Sequence, residues 1–196
     1  MSFFEGFKYK LFPPKNTFEI AKLLTEKIAS ESFTFFKEPR FRELINFEKI
    51  SQTEQDRIFN EIVATGIALS VVMFEKLAAL APHEEIRQFY AELQLEMRSY
   101  YANWLKELGT PQKFTDLWKQ LIKMRTDEYE KDYQTHQKEL ERDWKKNPWV
   151  FVATYGGYHH LRRGKGKSED PLFKMFLKWN IKIANQITEI LKKILK

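Results

Sequence analysis

Apolar residues recur every three or four positions along most of the chain, the spacing that places them on one face of an α-helix. The first such segment begins at Asn16, a favourable N-cap residue, and we expect a helix from there to about Glu31. Residues 40–50 contain enough apolar positions for one or two helical turns. A longer helix is then predicted from Ser51 to about Ala81, where a proline follows.

The most apolar part of the chain lies inside this second long helix. Between Ile62 and Phe74 the helix is apolar on nearly every side, as expected of a central helix that other helices surround. The run is shorter than the roughly 20 residues that cross a bilayer, so we predict no membrane association.

Three further helices complete the pattern. We expect one from about His83 to Leu108, one from about Gln112 to Lys146, and a last one that Asp170 caps. No segment alternates apolar and polar residues in the manner of an exposed strand. The sequence therefore predicts an all-α fold, an antiparallel four-helix bundle with one or two additional N-terminal helices.

Length and composition favour one domain. The chain has 196 residues, of which 43% are hydrophobic, and no linker-like stretch divides them, so we predict a single helical-bundle domain over 1–196. Glycines and basic residues concentrate in 156–170, which is predicted to be a loop. The absence of cysteine and of a recognisable signal peptide favours a cytoplasmic protein without disulfides.

Positive charge accumulates in the last part of the chain. Residues 141–196 contain 13 Lys and Arg against 5 Asp and Glu, a net charge of +8, whereas the preceding residues are close to neutral. The densest cluster comprises Arg162, Arg163, Lys165 and Lys167, which could bind an anion or the phosphates of nucleic acid. The alternative is a solvated surface loop, and we favour it.

Aromatic residues are concentrated near the first helix. Phe3, Phe4, Phe7 and Phe12 precede any predicted helix. Such an apolar arm either packs on its own bundle or meets a second copy of the chain, so a homo-oligomer is one of the predicted states.

One stretch carries a family pattern. Residues 60–109 read NEIVATGIALSVVMFEKLAALAPHEEIRQFYAELQLEMRSYYANWLKELG and resemble the first helical hairpin of the ferritin-like superfamily, especially its rubrerythrin-related members. The resemblance implies an oxidoreductase that binds two iron or manganese ions through glutamates and Glu-x-x-His motifs. Glu61 and Glu96 match two of the glutamates. Ser99 stands where the first histidine is expected, and no Glu-x-x-His follows.

The residues themselves offer a second set of candidates. Glu128, Asp132 and His136 follow one another at intervals of four on the predicted fourth helix, so Asp132 and His136 could grip one metal ion. The alternative is a structural network in which Arg125 pairs with Glu128 and Asp132 holds His136. We favour the network, because an arginine among the ligands repels a cation.

Glu61 poses the same choice between metal and ion pair. A buried carboxylate needs a partner, and Arg57, one turn earlier, is the nearest basic residue in sequence.

The incomplete metal motifs and the available ion-pair partners together favour a non-catalytic helical bundle that binds a small ligand or a protein partner. A di-metal carboxylate protein and an anion- or nucleic-acid-binding protein are the alternatives.

Overall fold

The computed structural model describes residues 16–144, 147–167 and 169–194, and these residues are helical throughout their regular structure. The helices are α1 (Thr17–Lys37), α2 (Pro39–Leu44), a 3-10 turn (Phe47–Lys49), α3 (Gln52–Leu80), α4 (Glu84–Glu107), α5 (Gln112–Asp143), α6 (Pro148–Leu161) and α7 (Pro171–Ile194). The described ranges contain no strand, which confirms the all-α prediction. Phe3, Phe4, Phe7, Phe12 and Lys146 lie outside the described residues.

Two predicted helix starts are formed by the expected caps. The Asn16 side chain accepts a hydrogen bond from the Phe18 amide at 3.0 Å, and Ser51 accepts one from the Glu54 amide at 3.3 Å. Helix α1 continues six residues beyond its predicted end, because Phe35 is buried against aromatic rings of α2 and α7.

Helix α3 lies at the centre of the molecule. Every residue from Ile62 to Phe74 is buried, and α3 packs against α1, α4, α5, α6 and α7. By length and composition α3 is also the one described helix that could cross a membrane, but 78% of its most apolar window is buried inside the protein. Its apolar surface is therefore accounted for by helix packing, as the sequence predicted for a central helix.

Contacts between side chains define the directions of α5 and α6. Glu61 and Thr65 of α3 contact Arg125 and Tyr129 of α5 respectively, so α3 and α5 run parallel. Helix α6 runs the opposite way along α5. Trp149 at its start stacks on Tyr133, with ring centroids 3.7 Å apart, and its last turn reaches the level of Glu128.

Helix α6 replaces part of the predicted loop. Residues 156–161 are helical, so the assignment of 156–170 to a loop was wrong for its first six residues. A β-carbon on Gly156 would lie 2.5 Å from Tyr129 Cε1, and one on Gly157 would lie 2.5 Å from Thr65 Oγ1. The two glycines therefore let α6 approach α5 and α3 closely, and are not a sign of irregular structure here.

Candidate functional site

The centre of the site is a buried ion pair between α3 and α5. Arg125 Nε and Nη2 donate hydrogen bonds to the two carboxylate oxygens of Glu61, at 2.9 and 2.7 Å. Each side chain is only 9% exposed. Burial works against the guanidinium charge, but the hydrogen bonds and charge of Glu61 outweigh it and raise the pKa of Arg125. The contact is thus bidentate, with the guanidinium charge of Arg125 held against Glu61.

A second carboxylate extends the pair towards the surface. Arg125 Nη1 donates to Glu128 Oε2 at 3.2 Å, and both Glu128 oxygens lie 2.8 Å from His160 Nε2 on the last turn of α6. Burial opposes the Glu128 charge, yet His160 and Arg125 outweigh it and lower the pKa of Glu128. We call Glu61, Arg125, Glu128 and His160 the charge network.

The inner side of the charge network is closed by a buried tyrosine. Tyr129 is fully buried and its hydroxyl lies 3.1 Å from Thr65 Oγ1. Burial raises the pKa of Tyr129, so the phenol stays protonated. Gly156 and Gly157 pack against these same two side chains. The network therefore joins α3, α5 and α6 at one level of the bundle.

Arg57, the partner predicted for Glu61, has a different role. It forms two hydrogen bonds with Glu54, at 2.9 and 2.7 Å, and donates to the carbonyls of His160 and Leu161 at 2.8 and 3.1 Å. Both carbonyls belong to the last turn of α6, where the His160 carbonyl also accepts a hydrogen bond from the Arg163 amide at 3.2 Å. The prediction that Arg57 pairs with Glu61 was wrong, whereas the predicted Arg125–Glu128 pair is confirmed.

The four predicted metal ligands lie in different surroundings. Glu61 is held by Arg125, and half-buried Glu96 lies on α4 with Ser99 Oγ donating to its backbone carbonyl at 3.3 Å. Among the described residues, no group of three or more His, Asp and Glu side chains could hold a metal ion. The residues predicted from the ferritin-like pattern and from the α5 ridge thus do not form one cluster.

Asp132 and His136 do not form the predicted pair. Burial and the Glu128 charge raise the pKa of Asp132, and the nearby His136 opposes them without a hydrogen bond to Asp132. His136 is exposed, and its Nδ1 lies 3.6 Å from Glu139 instead of being held by Asp132. The backbone of α5 departs from helical geometry at His136, with φ −113° and ψ 17°, so the predicted ridge is bent at its last member.

The arginines of the basic segment are already engaged. Arg162 donates to Asp170 at 2.9 Å and to the Leu44 carbonyl at 3.2 Å, and Arg163 donates to Glu54 at 3.2 Å. Hydrogen bonds from Arg57 and Arg163 lower the pKa of Glu54 to about 2. A shallow depression of about 570 Å³ lies beside them, and it is lined by Arg162, Lys165, Lys167, Glu169 and Asp170. Its acidic residues offset most of its positive charge.

Besides the charge network, two carboxyl groups on α3 and α5 interact with each other. Glu130 of α5 interacts with the Glu75 carboxyl of α3, and Arg98 Nη2 of α4 lies 3.5 Å from Glu130. Burial and the Glu75 carboxyl raise the pKa of Glu130 to about 7. Glu130 was not among the sequence candidates, since nothing in the spacing along one helix shows that Glu75 faces it.

The first half of α5 exposes a row of apolar side chains. Phe114, Leu117 and Met124 are 53%, 50% and 57% exposed, and Leu121 between them is half-buried. Their spacing of three, four and three residues places them on one face. We call these four residues the α5 apolar row. The next residue on the same face of α5 is Glu128, and the last turn of α6 lies beside it.

No family model, curated protein or solved structure matches the chain in the three comparisons with known proteins.

The sequence placed His160 in the basic loop and did not connect it with Glu128, although a signal for its helix was present. Asn147 occupies the N-cap position, without a side-chain capping bond, and Pro148 is a first-turn proline, a pair of residues that commonly opens a helix. With α6 placed as a helix, His160 would have been recognised as part of a packed element, not of a solvated loop.

Proposed function

We propose that the protein is a non-catalytic helical module that binds a helical protein partner on the α5 apolar row. The observation that carries the proposal is the exposure of Phe114, Leu117 and Met124 on one face of a helix. Grouped apolar side chains of this kind mark interaction surfaces, and an amphipathic helix with its own apolar row is the partner that fits them. Burying the exposed parts of these side chains would contribute about 1 kcal/mol each.

The interior supports a structural role more than a chemical one. Each carboxylate of the charge network already accepts hydrogen bonds from a cation or from His160. Such a network sets which helices pack together and in what register. The di-metal alternative would require Arg125 to leave Glu61, and no described contact favours that step.

Nucleic-acid binding is not favoured as the function. Arg162 and Arg163, the two residues best suited to grip phosphates, form ion pairs with Asp170 and Glu54. Lys165 and Lys167 remain, but they share their depression with two acidic residues.

For the architecture, we infer that α3, α4, α5 and α6 form an antiparallel four-helix unit, in which α6 takes the place predicted for the last helix, with α1 and α7 against the remaining sides of α3. The parallel direction of α3 and α5, and the reversed α6 beside both, support this arrangement. The ferritin-like resemblance of 60–109 remains a proposal of the same kind. It draws support only from the helical hairpin that α3 and α4 form.

A labelled protein tests the proposed function. The chain has no cysteine, so Gln120→Cys provides one attachment point for an environment-sensitive fluorophore beside the row. The probe is a synthetic amphipathic helical peptide with a single row of leucines, added to dilute protein. We expect a saturable fluorescence change, which Leu117→Lys abolishes.

Two controls make this measurement decisive. A peptide of the same composition with scattered leucines should not bind, and Leu95→Lys, which alters an even more exposed leucine on α4, should leave binding intact. Absence of binding to the amphipathic peptide, or binding that survives Leu117→Lys, overturns the proposal.

A further inference from the structure

The geometry points to a second copy of this chain as the helical partner, packed antiparallel through the α5 apolar row in a two-fold symmetric dimer. This inference rests on the proposed function and names its partner. Three features of α5 carry it: the symmetry of the apolar spacing, the order of charges beside the row, and the space that α6 leaves open.

The apolar spacing is the same when read in either direction. The row occupies positions 114, 117, 121 and 124, so its steps of three, four and three residues are symmetric about position 119. Two antiparallel copies aligned at this position place Phe114 opposite Met124 and Leu117 opposite Leu121. Each large side chain then meets an apolar side chain of the second copy, which is the self-complementarity that a two-fold interface requires.

Charged residues beside the row reverse their sign about nearly the same point. Lys113 and Asp127 lie on one flank of α5 and are symmetric about position 120, one residue from the midpoint of the apolar row. In an antiparallel helix pair, each flank faces the same flank of the other helix. Lys113 therefore lies beside Asp127 of the second copy, twice in each dimer, and joins the ion pair that Asp127 forms with Lys123 of its own chain. Within one chain the two residues are about 21 Å apart along the helix, too far to pair.

The second copy also has room on this face. Helix α6 covers α5 only as far as Glu128, where His160 lies in the last turn of α6. The chain then turns away, because Arg162 and Arg163 bind Asp170, Leu44 and Glu54. None of the described helices covers the apolar row, so α5 of a second copy can lie in line with α6. The α6 helix of the second copy then lies beyond Gln112, the first residue of α5 in the first copy.

The size of the interface indicates its strength. The row spans about 15 Å of helix, and so the pair buries less than the roughly 800 Å² per partner of a stable complex. We therefore expect a reversible dimer with a dissociation constant of about 10–100 µM.

Sedimentation velocity over a concentration series tests the dimer, with the amphipathic-peptide titration run on the same proteins. We expect the wild type to shift from monomer to dimer, and Leu117→Lys to remain monomeric with an unchanged helix content. Lys113→Glu and Asp127→Lys should each weaken the dimer by about tenfold, because each puts like charges together twice. The double variant Lys113→Glu/Asp127→Lys should restore it, since the charges are exchanged.

A matched control removes the effect of net charge. Lys138→Glu makes the same charge change at an exposed position in the second half of α5 and should leave dimerisation unchanged. Restoration by the double variant cannot arise within one chain, so it supports the antiparallel register directly.

The remaining outcomes separate the two proposals. A wild type that stays monomeric while the peptide still binds overturns the second copy as partner and leaves the proposed function standing. A monomer that binds no peptide overturns both. A dimer that survives Leu117→Lys uses another surface. If a soluble quencher cannot reach a fluorophore at position 120 in the monomer, the chain covers its own α5 apolar row. Either result overturns the inference.

Discussion

The two halves of α5 distribute polar and apolar residues in opposite ways. Around its middle, where the second half begins, Arg125 and Glu128 join α3 and α6 through charged hydrogen bonds. The first half turns Phe114, Leu117 and Met124 outwards. One helix thus places charges where a core is expected and apolar side chains where solvent is expected.

The difference follows from how far α6 extends along α5. Beside the second half, α6 supplies both a covering surface and the His160 that balances Glu128. Beside the first half α6 has ended, and the same face of α5 continues without a described helix over it. The type of residue on this face of α5 therefore depends on which helix packs against each turn. Charged residues occur where α6 supplies a partner, and apolar residues occur where no described helix lies over α5.

The largest effect is expected from breaking the buried pair on one side only. Arg125→Met leaves the Glu61 carboxylate buried without its cation, and we expect a loss of about 3–5 kcal/mol in the free energy of unfolding, measured by urea denaturation. The double variant Glu61→Met/Arg125→Met should recover most of it, because no charge is then left unpaired. A single variant as stable as the wild type would contradict the buried-pair interpretation.

The next largest effect concerns the close approach of α6. An alanine at 157 would place its β-carbon 2.5 Å from Thr65 Oγ1 and 2.8 Å from Phe176 Cε1, so Gly157→Ala should cost about 1–3 kcal/mol. In a double-mutant cycle with Thr65→Ala, the two losses should be less than additive, since Thr65 supplies the nearest clash. Strict additivity would show that the two helices are not in contact there.

A smaller effect is expected at the outer end of the charge network. Glu128→Gln keeps a hydrogen-bond acceptor but removes the charge, and we expect a loss of about 1 kcal/mol near neutral pH. The pKa of Glu128 is lowered from its usual 4.5, so the stabilisation is present above that pH and is lost as the pH falls through the folded-state value. Denaturation curves across the acidic range should therefore converge for wild type and variant. A constant difference at low pH would be inconsistent with an ionised Glu128.

The smallest effect on folding is expected in the first half of α5. Leu117→Ser replaces a half-exposed side chain, so the stability of the monomer at dilute concentration should change by no more than about 0.5 kcal/mol. Ile122→Ser, a fully buried position on the same turns, is the matched comparison and should be strongly destabilising. Equal losses at both positions would mean that the row belongs to the core.

Periodicity and capping residues located most of the helices. Asn16 and Ser51 begin their helices as predicted, and the apolar run from Ile62 to Phe74 lies at the centre as its pattern indicated. These signals are local, because a cap or an apolar face depends on residues a few positions apart. The missed helix is α6, whose glycines are unfavourable in an isolated helix and favourable where two helices meet closely.

The candidate site was predictable only in part. Arg125 and Glu128 lie one turn apart, so their pairing could be inferred from spacing along a single helix. The Glu61–Arg125 and Glu128–His160 contacts join residues 64 and 32 positions apart, and a sequence contains no measure of such separations in space. The choice of Arg57 as the partner of Glu61 was wrong for this reason: the end of α6 provides Arg57 with carbonyls to bind.

By itself, the sequence determined an all-helical chain with a central apolar helix, because helix formation and amphipathic faces follow from residues near one another. The tertiary structure alone decided which charges neutralise each other and which apolar residues remain outside. Both depend on where α6 lies and where it ends, since a buried charge needs a partner from another helix and an apolar row is covered only if a helix reaches it.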